Sequence, residues 1–283
     1  MAPVRQPAEF SASRVDPAGT IKYSWSDDLQ AYLRCATGYR AGGANVRSSG
    51  FTSFGEEERE AWELGLKSQW FGNRVEANVA LFQSTIKGEQ LVIQEAPVTN
   101  PALTNSFNSP NDKEVKGIEL ELVYAISDSL LVGGNYSYMD VPEQADYDNP
   151  LTAEVDLWRF WPVSTPENSG SIYLDWNSGN GFFVHTDYAF AKGHYWTTPG
   201  PQTLDAILPT YQRPESDMKN WSARLGYVFE AGDDGSLRIA LWGKNLTDDS
   251  SITYGFDGCA FGGGFCAFRQ APRTYGVEMK LEY

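Results

Sequence analysis

The chain ends with Arg273-Thr-Tyr-Gly-Val-Glu-Met-Lys-Leu-Glu-Tyr283, a stretch that alternates between two kinds of side chain. One set is apolar or aromatic and consists of Tyr275, Val277, Met279, Leu281 and Tyr283. Most of the intervening side chains are polar or charged. Because successive side chains of a β-strand point to opposite faces, this stretch predicts a strand with one apolar and one charged face. In water the apolar face and the strand edge would have to be covered, whereas in an outer-membrane barrel the apolar face contacts lipid.

The same alternation recurs along the whole chain. Val75, Val79 and Leu81, for example, are separated by polar or small residues. Similar segments lie at 21–25, 29–39, 62–67, 75–81, 118–124, 130–139, 172–176, 182–195, 223–229 and 236–245. Together with the last strand they predict an all-β chain of about eleven strands and no convincing helix.

The connections between these segments alternate between short and long. Short turns rich in Asp, Asn, Gly and Ser fall at 27–28, 72–73, 127–129, 177–181 and 231–236. Long connections fall at roughly 40–58, 89–113, 141–166, 196–217 and 246–272. Tight hairpins need the first kind, and the second kind is uncommon in compact soluble domains. The alternation is typical of an antiparallel transmembrane barrel, with short turns on one side and long loops on the other.

Aromatic residues mark the ends of strands at the short turns. They are Trp25, Trp70, Phe71, Tyr124, Trp176, Phe229 and, at the end of the chain, Tyr283. Rings at one level on successive strands indicate an aromatic girdle at a membrane interface. The alternative is that these rings form the core of a soluble β-sandwich, but a sandwich would not confine its aromatics to the short turns.

Composition limits the function further. The 283 residues carry a net charge of −15, which disfavours binding to nucleic acid because phosphates would be repelled. The mean hydropathy is −0.41. The sequence has no stretch of about 18 apolar residues, which is the length that a membrane-spanning helix needs. Residues 1–7 lack the apolar region of a signal peptide. We therefore expect either a mature or truncated piece of an exported protein, or a protein that does not lie in a membrane.

Two of the three cysteines, Cys259 and Cys266, bracket a glycine-rich segment. A disulfide between them would fit an oxidising compartment and stabilise the loop by about 2–3 kcal/mol. Two unpaired thiols are the alternative. Since no cysteine or histidine cluster has metal-ligand spacing, the sequence predicts no metal site and no cofactor.

The charged side chains do not suggest an enzyme. Glu119 and Glu121 point the same way and could be paired catalytic carboxylates, but no nucleophile and base accompany them, so a hydrated inner wall is favoured. In the long connections, aromatic faces could bind a planar chelate or a sugar, or they could pack the loops together. The candidate ligand-binding residues are Trp158, Phe160, Trp161, Tyr195, Trp196 and Tyr211.

Several motifs, in order, resemble the TonB-dependent outer-membrane receptors. Residues 32–43 read YLRCATGYRAGG, similar to a strand that enters an outer loop, and 54–67 read FGEEEREAWELGLK. Residues 115–121, VKGIELE, resemble the strand that follows an outer loop, and 242–248, WGKNLTD, resemble the penultimate strand and its turn. Residues 272–283 resemble the closing strand, with Tyr275, Val277, Met279, Leu281 and Tyr283 as the signal for the barrel-assembly machinery.

The resemblance implies the C-terminal half of a 22-stranded barrel, an antiparallel meander over residues 20–283 after an irregular segment at 1–19. It implies a bacterial outer-membrane location, contact with lipid, and dependence on TonB through a plug domain absent from this chain. The implied function is active uptake of a scarce small-molecule ligand, most often a ferric siderophore or other metal chelate, without covalent chemistry. Two alternatives stay open: a secreted soluble protein that binds or hydrolyses glycans, and a passive porin-like channel.

Overall fold

The computed structural model describes most of the chain. The described residues are 11–48, 50, 53–96, 100–142, 144–148, 157–160, 162–193, 200–201, 216–230, 235–257 and 265–282. They form β-strands joined by turns and irregular segments, and none of the described residues is helical. No helix in these ranges could span a membrane.

The described residues contain twenty strands. They are β1 (Ala18–Ser26), β2 (Leu29–Arg40), β3 (Gly43–Ala44), β4 (Ser53–Phe54), β5 (Glu57–Trp70), β6 (Val75–Lys87), β7 (Gln90–Ala96), β8 (Asn100–Asn108), β9 (Lys113–Ser127), β10 (Leu130–Asp140), β11 (Gln144–Asp148), β12 (Leu157–Phe160), β13 (Asn168–Asn177), β14 (Phe182–Lys192), β15 (Gly200–Pro201), β16 (Met218–Glu230), β17 (Ser236–Lys244), β18 (Ile252–Asp257), β19 (Phe265–Arg269) and β20 (Thr274–Glu282).

Eleven long strands form one sheet, and every neighbouring pair is antiparallel. The order is β1-β2-β5-β6-β9-β10-β13-β14-β16-β17-β20, in which each strand pairs with the next long strand along the chain. The predicted all-β meander of about eleven strands is therefore confirmed. Within the described ranges, β1 and β20 each have a paired strand on one side only.

The strand register aligns apolar residues across the sheet. Ile21 lies opposite Leu33, which lies opposite Leu64 on the next strand. On this face large apolar side chains are exposed: Ile21 is 74% and Leu64 52% exposed. An apolar face of this extent is not covered by any other layer of the described structure. It is the face that a membrane barrel presents to lipid.

The opposite face carries the charged side chains and a recurring arrangement of rings over glycines. A cross-strand glycine faces each ring, and a Cβ atom on that glycine would collide with it. The pairs are Tyr32 with Gly65, Phe82 with Gly117, Tyr173 with Gly133, Phe183 with Gly226, and Trp242 with Gly276. Each ring covers the backbone that its glycine leaves bare, so glycines in strand interiors, which normally weaken a sheet, are here used for packing.

The short turns have the backbone that their sequences predict. Between β5 and β6, Phe71, Gly72 and Asn73 have φ angles of 56°, 67° and 65°, in the left-handed region that favours glycine and asparagine. Trp70 and Phe71 at this turn are 49% and 81% exposed. The rings predicted to form a girdle therefore lie on the surface at the short-turn end of the sheet.

The long connections contain strands of their own, which the sequence did not predict. We name these connections loop 1 (41–56), loop 2 (88–112), loop 3 (141–167), loop 4 (193–217) and loop 5 (245–273). Loops 1, 2 and 5 hold the pairs β3–β4, β7–β8 and β18–β19, and β11, β12 and β15 form a small sheet across loops 3 and 4. All five loops lie at the same end of the long strands.

Replacing Gly226 by alanine tests the packing of rings over glycines. Its added Cβ atom would lie 2.4 Å from Cζ of Phe183 and 2.5 Å from the carbonyl oxygen of Ile239. We expect Gly226→Ala to lower the free energy of unfolding by about 1–3 kcal/mol. Urea unfolding of the receptor in detergent measures the loss. Gly38→Ala is the matched control, because nothing lies within 4 Å of its added Cβ atom. Equal effects of the two variants would contradict the packing account.

Candidate functional site

Loops 1 and 2 are joined by side-chain amides at their bases. Nδ2 of Asn108 donates to the carbonyl oxygens of Gly55, Glu56 and Gly88 at 3.1, 3.2 and 2.8 Å, and its Oδ1 accepts from the Gly55 amide at 2.5 Å. Nε2 of Gln90 donates to the carbonyl oxygens of Ala41 and Gly55, both at 3.0 Å. Backbone groups of two loops are thus bonded by two side chains, which fixes the loops relative to each other.

A second contact joins the two loops farther along. Nδ2 of Asn45 in loop 1 donates to the carbonyl oxygen of Ser106 in loop 2 at 2.8 Å, and the Ser106 amide donates back to Oδ1 of Asn45 at 2.7 Å. Asn45 is only 6% exposed. This reciprocal pair of hydrogen bonds links the two loops at a second point.

Loops 2 and 3 are joined by an aromatic cluster. The rings of Phe107, Tyr147 and Phe160 contact one another edge to face, with centroids 5.6–6.1 Å apart. Leu91 and Ile93 of β7 complete the cluster, and Ile93 is 1% exposed. This apolar core of the described structure therefore lies in the loop layer rather than between the long strands.

Loops 3 and 4 are joined through the backbone. In the small sheet, Trp158 and Arg159 of β12 pair with Pro201 and Gly200 of β15. With the contacts above, this pairing connects loops 1 to 4 into one layer over the long-loop end of the sheet. Such a layer can hold a ligand-binding surface in a defined shape, which isolated mobile loops cannot do.

Loop 5 is organised separately around Asn245. Its φ of 50° starts a tight turn, and its Nδ2 donates to the carbonyl oxygens of Asp249 and Ala271 at 2.9 and 2.8 Å. Asp249 in turn accepts from the backbone amide of Lys219, at the base of loop 4. Above this turn the rings of Tyr254 and Phe268 stack with centroids 6.3 Å apart.

Through Arg14, the segment before β1 is attached to the beginning of β5 and the end of loop 1. Nη1 of Arg14 lies 2.6 Å from Oε1 of Glu58 and 3.8 Å from Oε1 of Glu56, and Nε lies 3.5 Å from Oδ1 of Asp16. The hydrogen bond with Glu58 and the charges of all three carboxylates raise the pKa of Arg14. Residues 11–17 have no regular secondary structure, and β1 begins at Ala18.

The charged face of the long strands carries paired polar groups. The Tyr32 hydroxyl donates to Oε1 of Glu63 at 2.6 Å, and Arg224 bonds to Glu278. Nδ1 of His185 lies 2.6 Å from Oδ1 of Asp175. The first and third pairs join neighbouring strands, whereas Arg224 of β16 reaches past β17 to Glu278 of β20. The arrangement fits a hydrated wall that can bind or guide polar groups.

Most of the six predicted ligand-binding rings lie where no side chain is described. Trp161, Tyr195, Trp196 and Tyr211 fall outside the described residues, and only the backbone of Trp158 is described. Phe160 is 5% exposed inside the aromatic cluster. Its placement agrees with the loop-packing alternative, and the assignment of the set to ligand binding stays a prediction.

The other residues with predicted roles are also only partly covered by the described ranges. Cys259 lies outside the described residues, as does the side chain of Cys266, so their disulfide stays a prediction. Tyr275, Val277, Met279 and Leu281 of β20 are 62–79% exposed on the apolar face, and Tyr283 lies beyond the described residues. The residues that sequence reasoning missed are Asn45, Gln90 and Asn108, since nothing in a single amide side chain signals that two loops meet there.

Comparison with known proteins identifies the family. The family model "TonB dependent receptor-like, beta-barrel" matches residues 4–246. The ferric-pyoverdine M114 receptor PbuA of Pseudomonas sp. strain M114 is 25% identical over 284 residues, covering 95% of this chain and 30% of that protein. The chain belongs to the TonB-dependent receptor-like β-barrel family, whose members are bacterial outer-membrane transport receptors.

Solved structures share the fold. The ferric yersiniabactin uptake receptor FyuA from Yersinia pestis has a TM-score of 0.67 at 19% identity, over 94% of this chain and 36% of that one. The siderophore receptor PiuA from Acinetobacter baumannii has a TM-score of 0.64 at 14% identity, over 94% and 35%. The chain thus spans about a third of the length of these proteins. Membership of this family favours the interpretation as part of a receptor over the two alternatives, a soluble glycan-binding protein and a passive channel.

Within the described ranges, no group of three or more histidine, cysteine, aspartate or glutamate side chains could hold a metal ion. The candidate functional surfaces are therefore the layer formed by loops 1 to 4 and the charged face of the long strands.

Removing the Asn108 side chain tests whether loops 1 and 2 are held as one unit. We expect Asn108→Ala to speed hydrogen exchange at the Gly55 amide roughly tenfold, since it loses its acceptor and neighbouring carbonyls lose a donor. Hydrogen exchange read by mass spectrometry over loops 1 and 2 measures the change. Asn180→Ala, at the short-turn end, is the control and leaves both loops unchanged. Unaltered exchange in Asn108→Ala would show that the amide does not hold the loops.

Proposed function

We propose that this chain supplies the C-terminal barrel wall and the outer loops of a receptor that takes up a ferric siderophore across the outer membrane. The main support is the likeness to a ferric-pyoverdine receptor over 95% of the chain. Two structural neighbours, whose likeness shows the fold alone, are also named as siderophore receptors. The loop layer, joined across loops 1 to 4 at one end of the wall, is where we place ligand capture.

The unpaired edges of the sheet support the proposal that further strands complete the barrel. Strand edges exposed to hydrocarbon would leave backbone N–H and C=O groups without partners, at a cost of several kcal/mol for each group. Eleven is also an odd number, whereas single-chain bacterial barrels have an even number of strands. We place the remaining strands and a plug domain in the rest of the receptor, outside this chain.

In the proposed mechanism the loops capture the ferric chelate and the plug blocks the lumen until TonB acts on it. The wall described here performs no covalent step. Its exposed polar face provides a hydrated path, and its apolar face anchors the barrel in lipid. We further propose that the barrel-assembly machinery reads β20, whose alternating apolar residues end the sheet.

Deleting the gene that encodes this chain tests the uptake function. We expect cells grown under iron limitation to lose uptake of one ⁵⁵Fe-labelled siderophore from a panel of catecholates, hydroxamates and pyoverdines. Restoring the whole gene restores uptake, and removing TonB abolishes it again. Unchanged uptake of every member of the panel in the deletion strain, or uptake that persists without TonB, would contradict the proposal.

Substitutions of the loop rings separate ligand contact from loop packing. We expect Trp196→Ala or Tyr211→Ala to weaken binding of the transported siderophore by about 1–3 kcal/mol without loss of stability. Phe160→Ala should lower stability by about 3–5 kcal/mol, whereas Phe160→Leu should retain most of it. Calorimetric binding and thermal unfolding of the purified receptor give the two quantities. Normal affinity in both Trp196→Ala and Tyr211→Ala would remove these residues from the ligand site.

A further inference from the structure

The charged face of β1, β2 and β5 forms a regular grid around Tyr32. Lys22 lies directly opposite Tyr32, and Tyr32 opposite Gly65. In the rows on either side, Arg34 pairs with Thr20 and Glu63, and Gln30 pairs with Lys67. The three cations, Lys22, Arg34 and Lys67, therefore lie on three neighbouring strands, and each belongs to a different row of the grid. Lys22 and Arg34 are diagonal neighbours, which places them about 7–8 Å apart.

The single carboxylate in this grid, Glu63, offsets only one of the three positive charges. Glu63 lies opposite Arg34 in the register, yet its Oε1 accepts a hydrogen bond from the Tyr32 hydroxyl at 2.6 Å. The Tyr32 ring can lie across to Glu63 because Gly65 has no side chain: a Cβ atom there would lie 2.2 Å from the ring. Gly65 and Tyr32 together direct the carboxylate away from the arginine.

Of the acids on the neighbouring strands, Glu76 and Glu121 bond to an amide, whereas Glu119 lines an adjoining cavity together with Tyr32 and Lys67. Facing Lys67 from β6 is Asn78, whose Nδ2 donates to Glu76 at 2.9 Å and to Glu121 at 3.1 Å. Lys22, Arg34 and Lys67 make no ion pair anywhere in the described part of the chain. With Glu63 included, the grid keeps a net charge of +2 in a chain whose net charge is −15, and like charges this close repel one another unless an anion lies between them.

The three cations line one cavity. It has a volume of about 460 Å³ and is open on the charged face, with the Tyr32 ring, the Gln30 amide, the Thr20 hydroxyl and the Glu63 carboxylate beside the cations. A volume of this size suits a small ligand, and the combination of cations, hydrogen-bond donors and one ring suits anionic oxygens carried on an organic frame.

We propose that Lys22, Arg34 and Lys67 form an anion-binding site on the inner wall, which takes a small polycarboxylate or a chelate with anionic oxygens. Arg34 presents a planar fork to a carboxylate, while Lys22 and Lys67 act as point charges on either side. The site lies on the half of the wall toward the short turns, away from the loop layer. Its use in guiding anionic cargo rests on the function proposed above, but its binding of an anion does not.

Protection of the lysines from acetylation tests the site directly. The purified receptor that contains this chain is acetylated in detergent with and without citrate, and labelling of each lysine is read by mass spectrometry. We expect citrate to slow labelling of Lys22 and Lys67 at least roughly threefold at low salt, and to lose this effect at about 1 M salt, where charges are screened within about 3 Å. Lys244, an exposed lysine outside the grid, is the internal control.

Two variants sharpen the test. Arg34→Gln removes one charge without touching either labelled lysine, and we expect it to need about fivefold more citrate for the same protection. Arg59→Gln is the matched control on the same face of β5, because Arg59 bonds to Ser84 at 2.9 Å and lies outside the cavity. It leaves the protection unchanged.

Two results would overturn the site. If Lys22 and Lys67 are labelled freely and citrate does not protect them, the cavity does not bind anions. If they resist labelling even without citrate, another part of the receptor covers them and the site is not open to a small ligand. Neither result depends on iron uptake, so a failure here is distinguishable from failure of the proposed transport function.

Discussion

The structure depends on one constraint: backbone groups that lie in hydrocarbon need hydrogen-bond partners, because lipid offers none. A sheet of long antiparallel strands meets this need and fixes a side-chain period of two. Once one face is apolar, a register slip by a single residue would turn every side chain of a strand to the wrong side. The alignment of Ile21, Leu33 and Leu64 across three strands follows from this requirement.

The long strands form a single sheet, and no second layer of the described structure packs against it. Close side-chain packing is therefore found in other places. On the charged face, rings such as Phe183 lie over glycines such as Gly226, and these pairs provide close contact without a second layer. The buried apolar cluster around Ile93 and Phe160 lies instead in the loop layer. The wall is thus stabilised by register and by lipid, whereas the loops are held by a small core and by amide side chains. This division leaves the charged face free for the anion site around Tyr32.

The features that the sequence predicted are those with a local pattern. Alternation of apolar and polar residues, as in Ile118 to Tyr124, identified the long strands, and the spacing of Asp, Asn and Gly identified the short turns. The strands within the loops were missed because most are short and because their apolar and polar residues do not alternate. Asn108 and Gln90 were missed for a different reason: their partners lie 20 to 53 residues away, so no nearby residue indicates the contact. The grid of cations needs the register of three strands before it becomes visible.

Collision rates of nitroxide labels along β9 test the central claim, that one face of this sheet contacts lipid and the other lines a hydrated lumen. Labels are placed one at a time at residues 118–124 of the receptor in lipid bilayers, with oxygen and a water-soluble nickel chelate as collision partners. The account predicts high oxygen collision rates at 118, 120, 122 and 124, and higher nickel rates at 119, 121 and 123. Equal rates at all seven positions, or nickel access to the even-numbered ones, would contradict it.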